Sequence, residues 1–255
     1  MGDLNIETII DIAKNAGKAI LEVYNSKDFG TEIKDDFSPL TKADKKSNEI
    51  IVKELRKNYP DIPVLSEEEK EIPYDERKNW EYFWLVDPLD GTKEFIKRNG
   101  EFTVNIALIE KRRPILGVIF VPVTGELYFG DDKNGSFKVD SNGNKRKIYV
   151  SGKSEGDELV VVQSRSHSGE EEETFYSRFK VKEKLSRGSS LKICMVAEGI
   201  ADIYFRSGPT WEWDTAAGHA ILLGAGGKFT NKDGSELVYN KEVIKNFGFI
   251  ALGVS

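Results

Sequence analysis

The residues best able to do chemistry stand together in Trp84-Leu85-Val86-Asp87-Pro88-Leu89-Asp90-Gly91-Thr92. Trp, Leu and Val before Asp87 suit a buried strand, Pro88 forbids continuing its ladder, and Gly91 permits a backbone conformation that brings amides close to a ligand. Two carboxylates spaced like Asp87 and Asp90 at a strand end repel each other unless cations sit between them, and oxygen donors of this kind suit Mg²⁺ or Mn²⁺. Thr92 and Lys93 open a short predicted helix, whose first free amides and positive dipole end would receive a phosphate. A lone Asp-x-x-Asp-Gly is more often only a capping turn, so a catalytic centre needs partners from elsewhere in the chain.

Several segments offer them. Asp44 falls in the first turn of a helix capped by Thr41, where the helix dipole favours a carboxylate in any protein. Glu67, in Ser66-Glu67-Glu68-Glu69, is the first acid after the short strand Val64-Leu65; acid runs are usually solvated loops, yet strand ends are where sites are built. Gly188-Ser189-Ser190 directly precedes a helix whose first turn holds Lys192, so that amides, hydroxyls and an ammonium gather at one helix start and suit a phosphate as well as a plain cap. Trp211-Glu212-Trp213-Asp214-Thr215-Ala216-Ala217-Gly218 puts Asp214 at a helix N-terminus, which an ordinary N-cap explains equally well. His167, in Ser164-Arg165-Ser166-His167-Ser168 after a strand, could reach a ligand, whereas His219 reads as core and Cys194 as a buried small apolar residue.

These residues need elements to position them. Leu4, Ile6, Ile9, Ile10, Ala13, Ala16, Ile20 and Tyr24 recur at three- and four-residue spacing and predict an amphipathic helix over 4–24. A polar segment with Phe37-Ser38-Pro39-Leu40 follows, then a helix from Thr41 to about Asn58, with Pro60 beyond its end. From Glu101 to about Val139 short β-rich runs, Phe102 to Ile109, Ile115 to Val121 and Leu127 to Phe129, read as an antiparallel meander. Residues 140–157, rich in Gly, Lys, Ser and Asn, are the best boundary and divide the chain into halves 1–150 and 151–255. Beyond them come strand Leu159–Gln163, helix Glu170–Arg178, strand Val181–Leu185, helix Ser190–Gly199, strand Ile203–Phe205 and a helix from about Thr215 to Leu223, an alternation that implies an α/β second half after an α+β first.

Composition narrows the class. The chain has 255 residues, 31% of them charged, with a net charge of −6. That acidity argues against nucleic-acid polymers as partners but not against a small anion, because bound divalent cations reverse the sign of one cleft. No apolar run approaches the roughly 18 residues that span a bilayer. The start, Met1-Gly2-Asp3-Leu4-Asn5, lacks the basic and apolar regions of a secretory signal, so a cytoplasmic protein is expected, with peripheral membrane association and oligomeric state left open.

The stretch Trp84 to Thr92, the upstream Ser66-Glu67-Glu68 and the late Trp213-Asp214-Thr215-Ala216-Ala217-Gly218 together resemble the three signatures of the inositol monophosphatase-like, lithium-sensitive phosphatases. The likeness runs from the first helix nearly to the C-terminus. Within that superfamily Lys93 to Leu108, Ser164 to His167, Gly188 to Lys192 and Ala197-Glu198-Gly199 resemble the bacterial-type 3′(2′),5′-bisphosphate nucleotidase branch. The resemblance implies a layered αβαβα sandwich with the metals between the halves. It makes Glu67, Asp87, Asp90, Asp214 and the backbone carbonyl of Leu89 ligands for two or three Mg²⁺ ions, with Mn²⁺ able to substitute. Thr92 and Asp44 then position and deprotonate the attacking water, Gly91, Thr92 and Lys93 receive the phosphate, and Ser164, His167, Gly188, Ser189 and Lys192 contact the nucleotide. The implied reaction, which belongs with sulfur assimilation, removes the 3′-phosphate of adenosine 3′,5′-bisphosphate to leave AMP, with 3′-phosphoadenylyl sulfate as a further substrate. Phosphatases of inositol monophosphate or fructose 1,6-bisphosphate are the alternatives in the same class. A non-catalytic Mg²⁺ or nucleotide sensor is the alternative outside it, opposed by the intact catalytic set. Trp211 and Glu212 match no part of the pattern.

Overall fold

The first layer is built by two amphipathic helices. In this computed structural model, which describes residues 4–26, 29–33, 39–131, 133–165 and 169–254, α1 (Ile6–Tyr24) starts at Asn5, whose side chain accepts from the Glu7 amide, and buries Ile9, Ile10, Ala13, Ala16 and Ile20. A ribbon of β1 (Glu32–Ile33) and β2 (Pro39–Leu40) leads to α2 (Lys42–Asn58), capped by Thr41. Both helices cover one face of a seven-stranded sheet made of β3 (Val64–Ser66), β4 (Tyr82–Asp90), β5 (Thr103–Glu110), β6 (Arg113–Phe120), β7 (Leu127–Asp131), β8 (Gly135–Val139) and β9 (Lys145–Ile148), in that spatial order. β3 runs parallel to β4 and the other pairs are antiparallel. Two short helices interrupt the strands, α3 (Tyr74–Arg77) before β4 and α4 (Thr92–Ile96) after it. Alternation along β4 divides the core, since Trp84 and Val86 pack with α1 and α2 while Phe83 and Leu85 face the other way.

The second half supplies what those outward residues pack against. It comprises β10 (Glu158–Ser164), α5 (Glu170–Tyr176), β11 (Lys180–Arg187), α6 (Leu191–Ala197), β12 (Ile203–Arg206), β13 (Thr210–Trp211), α7 (Glu212–Gly224), β14 (Lys228–Asn231), β15 (Lys245–Asn246) and β16 (Phe249–Leu252). Five of its strands form a sheet in the order β11-β10-β12-β16-β14, parallel through β11, β10 and β12, and antiparallel at β16 and β14. α6 and α7 lie between the sheets, their Ile193, Val196, Ala216 and Ile221 sharing one core with Phe83 and Leu85 on one side and Val162, Tyr204 and Phe249 on the other. α5 closes the far face through Tyr176, packed with Leu159, Val161 and Phe205. The order of layers is the expected αβαβα sandwich. α7 lies so close to the first sheet that a Cβ on Gly117 of β6 would stand 2.2 Å from the Ala217 carbonyl oxygen.

Three expectations change. The meander, expected to end at about Val139 where β8 does, continues into β9, so the segment 140–157 is partly strand; Lys145-Arg146-Lys147 shows no apolar alternation because β9 is an outer strand with solvent on its edge. α7 begins at Glu212, which makes Asp214 an acid of the first turn rather than the N-cap. β14 and β16 close the second sheet although nothing in the sequence reading proposed them; Phe229, Phe249 and Ala251, their buried residues, are scattered among glycines and lysines.

Candidate active site

β4 runs apolar as far as Val86 and then breaks. Pro88 has no amide for the β5 ladder, and pairing jumps from Asp87 opposite Asn105 to Asp90 opposite Thr103. The irregularity buries Asp87 to 2% exposure and leaves Asp90 on a cavity wall. It is pinned from two sides: Ser47 of α2 donates to the Pro88 carbonyl at 2.7 Å, and the Leu89 amide donates to Asp87 Oδ1 at 3.0 Å. Gly91 follows with φ 93°, the left-handed region that favours glycine, and starts α4. Thr92 Oγ1 then donates to Asp44 Oδ1 at 3.1 Å and lies 3.4 Å from the Leu89 carbonyl. Asp44 Oδ2 accepts from the Thr41 amide at 2.8 Å. Asp44 therefore caps α2 and holds Thr92 at once, and the structural and catalytic readings of this residue are compatible.

Much of the remaining lining comes from the second half. Ser190 donates its amide to Asp90 Oδ2 at 2.6 Å, while its hydroxyl, the Thr103 hydroxyl and Asn105 Oδ1 form a buried triangle of contacts at 2.8 to 3.0 Å. Gly188 donates to Glu101 Oε2 at 2.7 Å, and a Cβ there would meet the Glu101 carbonyl oxygen at 2.8 Å. Ser189 takes φ 46°, a strained value for a residue with a side chain. Lys192 is buried and donates to the carbonyls of Arg187 and Ser189. Burial pulls its pKa down to about 8, with Asp90 opposing the fall. Asp214, in the first turn of α7, accepts from the Trp211 amide at 2.9 Å, and Glu67 joins the end of β4 through its amide to Val86 at 3.2 Å.

These groups enclose a cavity of about 350 Å³ with Glu67, Asp90 and Asp214 among its acids and Lys192 and Arg206 among its cations. Burial pushes the Asp87 carboxyl well above the ordinary carboxylate range, and Glu67, Asp90, Asp214 and Asp44 push it further. Burial raises Asp214 in the same way, helped by Asp90 and Glu67. Burial also raises Asp90, against the pull of Lys192 and the Ser190 amide. Negative charge concentrated in this way is what a divalent cation relieves, and an all-oxygen donor set is the chemistry of Mg²⁺. Among the described residues no three His, Cys, Asp or Glu side chains are drawn together into a ready-made metal cage. The fit therefore rests on the donor chemistry and on the mutual electrostatics. Asp87, Asp90 and Asp214 each spend one oxygen on a backbone amide, which fixes the plane of the carboxylate.

Of the residues expected from the sequence, Glu67, Asp90, Gly91, Thr92, Lys93, Ser164, Gly188, Ser189, Lys192 and Asp214 line this cavity. Asp44 and the Leu89 carbonyl do not line it but are joined to its Thr92, and Asp87, also outside the lining, is joined to Leu89. His167 lies outside the described residues. His219 is buried, with Nδ1 3.0 Å from the Tyr239 hydroxyl, and belongs to the core. Sequence reasoning missed Tyr204, Arg206, Thr210 and Phe249, which also line the cavity. Only Arg206 left a trace: a cation ends an apolar strand just before Ser207-Gly208-Pro209.

Comparison with known proteins agrees with this geometry. The model of the inositol monophosphatase family matches residues 4–246. A protein of Salmonella typhimurium named 3′(2′),5′-bisphosphate nucleotidase CysQ is 46% identical over 246 residues, covering 96% of this chain and 98% of that one. The Escherichia coli K12 protein of the same name is 44% identical with the same coverage. Among solved structures, CysQ from Bacteroides thetaiotaomicron superposes with a TM-score of 0.84 at 44% identity, covering 96% of each chain. An inositol monophosphatase of Thermotoga maritima superposes at 0.79 with 26% identity, covering 97% of this chain and 91% of that one. A match over nearly the whole chain, with the signature acids gathered at one cavity, means that this chain belongs to the inositol monophosphatase family.

Proposed function

We propose that this protein is a Mg²⁺-dependent phosphatase that hydrolyses the 3′-phosphate of adenosine 3′,5′-bisphosphate to AMP and inorganic phosphate, and that it also accepts 3′-phosphoadenylyl sulfate. The observation that carries the reading is that two kinds of charge line one cavity, the carboxylates Glu67, Asp90 and Asp214 and the cations Lys192 and Arg206. The first suits a reacting phosphate with its cations, and the second suits the other phosphate of the same nucleotide. The names of the relatives at 44–46% identity point the same way.

Glu67, Asp87, Asp90, Asp214 and the Leu89 carbonyl would hold two or three Mg²⁺ ions, or Mn²⁺ in their place. Bound there, the cations supply Lewis-acid stabilisation of charge on the entering and leaving oxygens. The chain's own part is positional and acid–base. Thr92 gives its one hydroxyl proton to Asp44 at 3.1 Å, so its oxygen accepts from a water on the cavity side and aims that water at phosphorus. Asp44 takes the proton that the attacking water loses as the new phosphorus–oxygen bond forms, while the bond to phosphorus breaks at the 3′-oxygen, which leaves with the bonding pair and takes up a proton from solvent to become the 3′-hydroxyl of AMP. The amides of α4 and the loop Gly188–Ser189 hold phosphate oxygens, and Lys192 grips the non-reacting end. In this division residues 1–150 carry most of the cation ligands and residues 151–255 most of the nucleotide contacts. Among the described residues no helix is long and apolar enough to cross a membrane, and the proposed setting is the cytoplasm. Phosphate release from adenosine 3′,5′-bisphosphate, inositol 1-phosphate and fructose 1,6-bisphosphate tests the assignment. The nucleotide is expected to give the highest kcat/KM, and preference for either sugar phosphate would overturn it.

A further inference from the structure

Glu212 and Arg77 are unusual in being charged and fully buried, at 0% and 1% exposure, outside the set of reacting groups. Charged side chains are left in such places only when their hydrogen bonds are complete, and here they are bound to one another's neighbours. Arg77, the last residue of α3, donates to the Ile72 carbonyl at 3.1 Å, to Asn240 Oδ1 at 2.8 Å and to the carbonyls of Lys241 and Glu242 at 2.7 and 2.9 Å. Asn240 returns its side-chain amide to the Arg77 carbonyl at 2.7 Å. Glu212, the first residue of α7, accepts the backbone amides of Asn240 and Lys241 at 2.7 and 3.0 Å and the Lys241 ammonium at 2.8 Å. Lys241 also reaches Asn246 Oδ1 at 2.9 Å, and Asn246 donates to the Trp211 carbonyl at 3.2 Å and the Thr215 hydroxyl at 3.0 Å.

The chain of bonds has a direction. One end is the loop that follows Glu67, closed on itself where Arg77 takes the Ile72 carbonyl. The other end is the first turn of α7, which carries Asp214. The two acids belong to different halves of the chain, and no strand pairing joins the loop to the helix. We propose that Arg77, Asn240 and Glu212 form a buried clamp that sets the separation of Glu67 from Asp214, and so the ability of the carboxylate wall to take up a divalent cation. These are positioning residues, since none of them lines the cavity. The inference rests on the reading of Glu67 and Asp214 as cation ligands. It gives Glu212 the role that the sequence left open.

Direct Mn²⁺ binding, followed by electron paramagnetic resonance on the full-length protein, tests the clamp without relying on turnover. Arg77→Lys removes the forked donors, Glu212→Gln removes one of the two acceptor oxygens, and Asn240→Gly keeps the left-handed backbone (φ 59°) while deleting only the bridging amide. Each is expected to weaken Mn²⁺ binding, by about tenfold for the first two and less for the third. In steady-state assays kcat at fixed Mg²⁺ should fall while KM for the bisphosphate stays within about twofold, because the Lys192 wall is untouched. Combining Arg77→Lys with Glu212→Gln should cost little more than the worse single change, since both break one network. Should either large variant fail to fold, Asn240→Gly decides. Unchanged Mn²⁺ affinity in the folded variants, whatever their melting temperatures, would overturn the clamp. Asp87→Asn is the control that separates the two ideas: if it retains Mn²⁺ binding, the cation-site reading fails, whereas if it loses binding while the clamp variants keep it, only the clamp does.

Discussion

Asp87 is 2% exposed among Glu67, Asp90, Asp214 and Asp44, and removing its charge separates two opposite effects. Asp87→Asn takes away a charge that stabilises the transition state, and kcat should fall at least about 100-fold at saturating Mg²⁺. The amide oxygen can still accept from Leu89, and burial penalises the carboxylate, so the metal-free variant should melt at the same temperature as the wild type or higher. Steady-state kinetics together with melting curves in chelator check both halves. Lys192 gives a pH test. With its pKa drawn down to about 8 by burial, the ammonium is charged below that pH and neutral above it. In the proposed role of Lys192, binding of the second phosphate needs the charge, so kcat/KM for adenosine 3′,5′-bisphosphate should fall as pH rises through about 8. Lys192→Arg should abolish that limb, Lys192→Ala should raise KM more than it lowers kcat, and a small phosphate monoester should show neither effect. A limb that survives Lys192→Arg would assign the titration to another group. Asp87, Asp90 and Thr92 were legible in the sequence as a candidate site through the proline and glycine beside them, with the family resemblance needed to set that reading above a capping turn. Arg206 and Tyr204 were not, because a residue at a strand end looks the same whether it faces solvent or a cavity.

Elements built on strong periodicity were equally legible. α1, α2 and the central meander follow from apolar spacing because each buries one continuous face. β9, β14 and β16 escaped notice because outer or short strands lack that spacing and are held by pairing with neighbours instead. The start of α7 was misplaced because Glu212 looks like a loop acid; only the turn at Asn240 and Lys241, distant in sequence, explains why it is buried in a helix start. Close approach between elements was invisible for the same reason. Gly117 admits α7 so near that a Cβ would stand 2.2 Å from the Ala217 carbonyl oxygen. Gly117→Ala should therefore cost about 1–3 kcal/mol in urea unfolding, as overpacking does. It should also weaken Mg²⁺ use, because Asp214 rides on the displaced helix. Unchanged stability would show that the two layers have slack that the close contact denies them.

The whole molecule sets two halves around one cleft, so the proposed cation ligands, drawn from three segments, depend on the packing of the entire chain. Lithium probes that arrangement. Li⁺ resembles Mg²⁺ in size with half its charge, so in a site formed by Asp87, Asp90 and Asp214 it would stabilise the leaving oxygen poorly and hold product in place. LiCl should inhibit with an uncompetitive or mixed pattern where matched NaCl does not, and Asp214→Asn should weaken that inhibition; identical LiCl and NaCl curves would contradict it. The layer order was legible only through the family resemblance, since amphipathic helices and a strand–helix alternation by themselves imply no more than an α+β half followed by an α/β half. The meeting of acids and cations in one cavity was not, since it arises only when Gly188–Lys192 meets the turn at Asp90. This meeting of charges is expected to direct hydrolysis to the 3′ position in a Mg²⁺-dependent way. Phosphorus NMR of the products from adenosine 3′,5′-bisphosphate, with and without Mg²⁺ and with Asp87→Asn beside the wild type, tests it most directly. The expected result is adenosine 5′-monophosphate and inorganic phosphate from the wild type with Mg²⁺ alone. Adenosine 3′-monophosphate as product, or turnover that survives both chelation and Asp87→Asn, would contradict it.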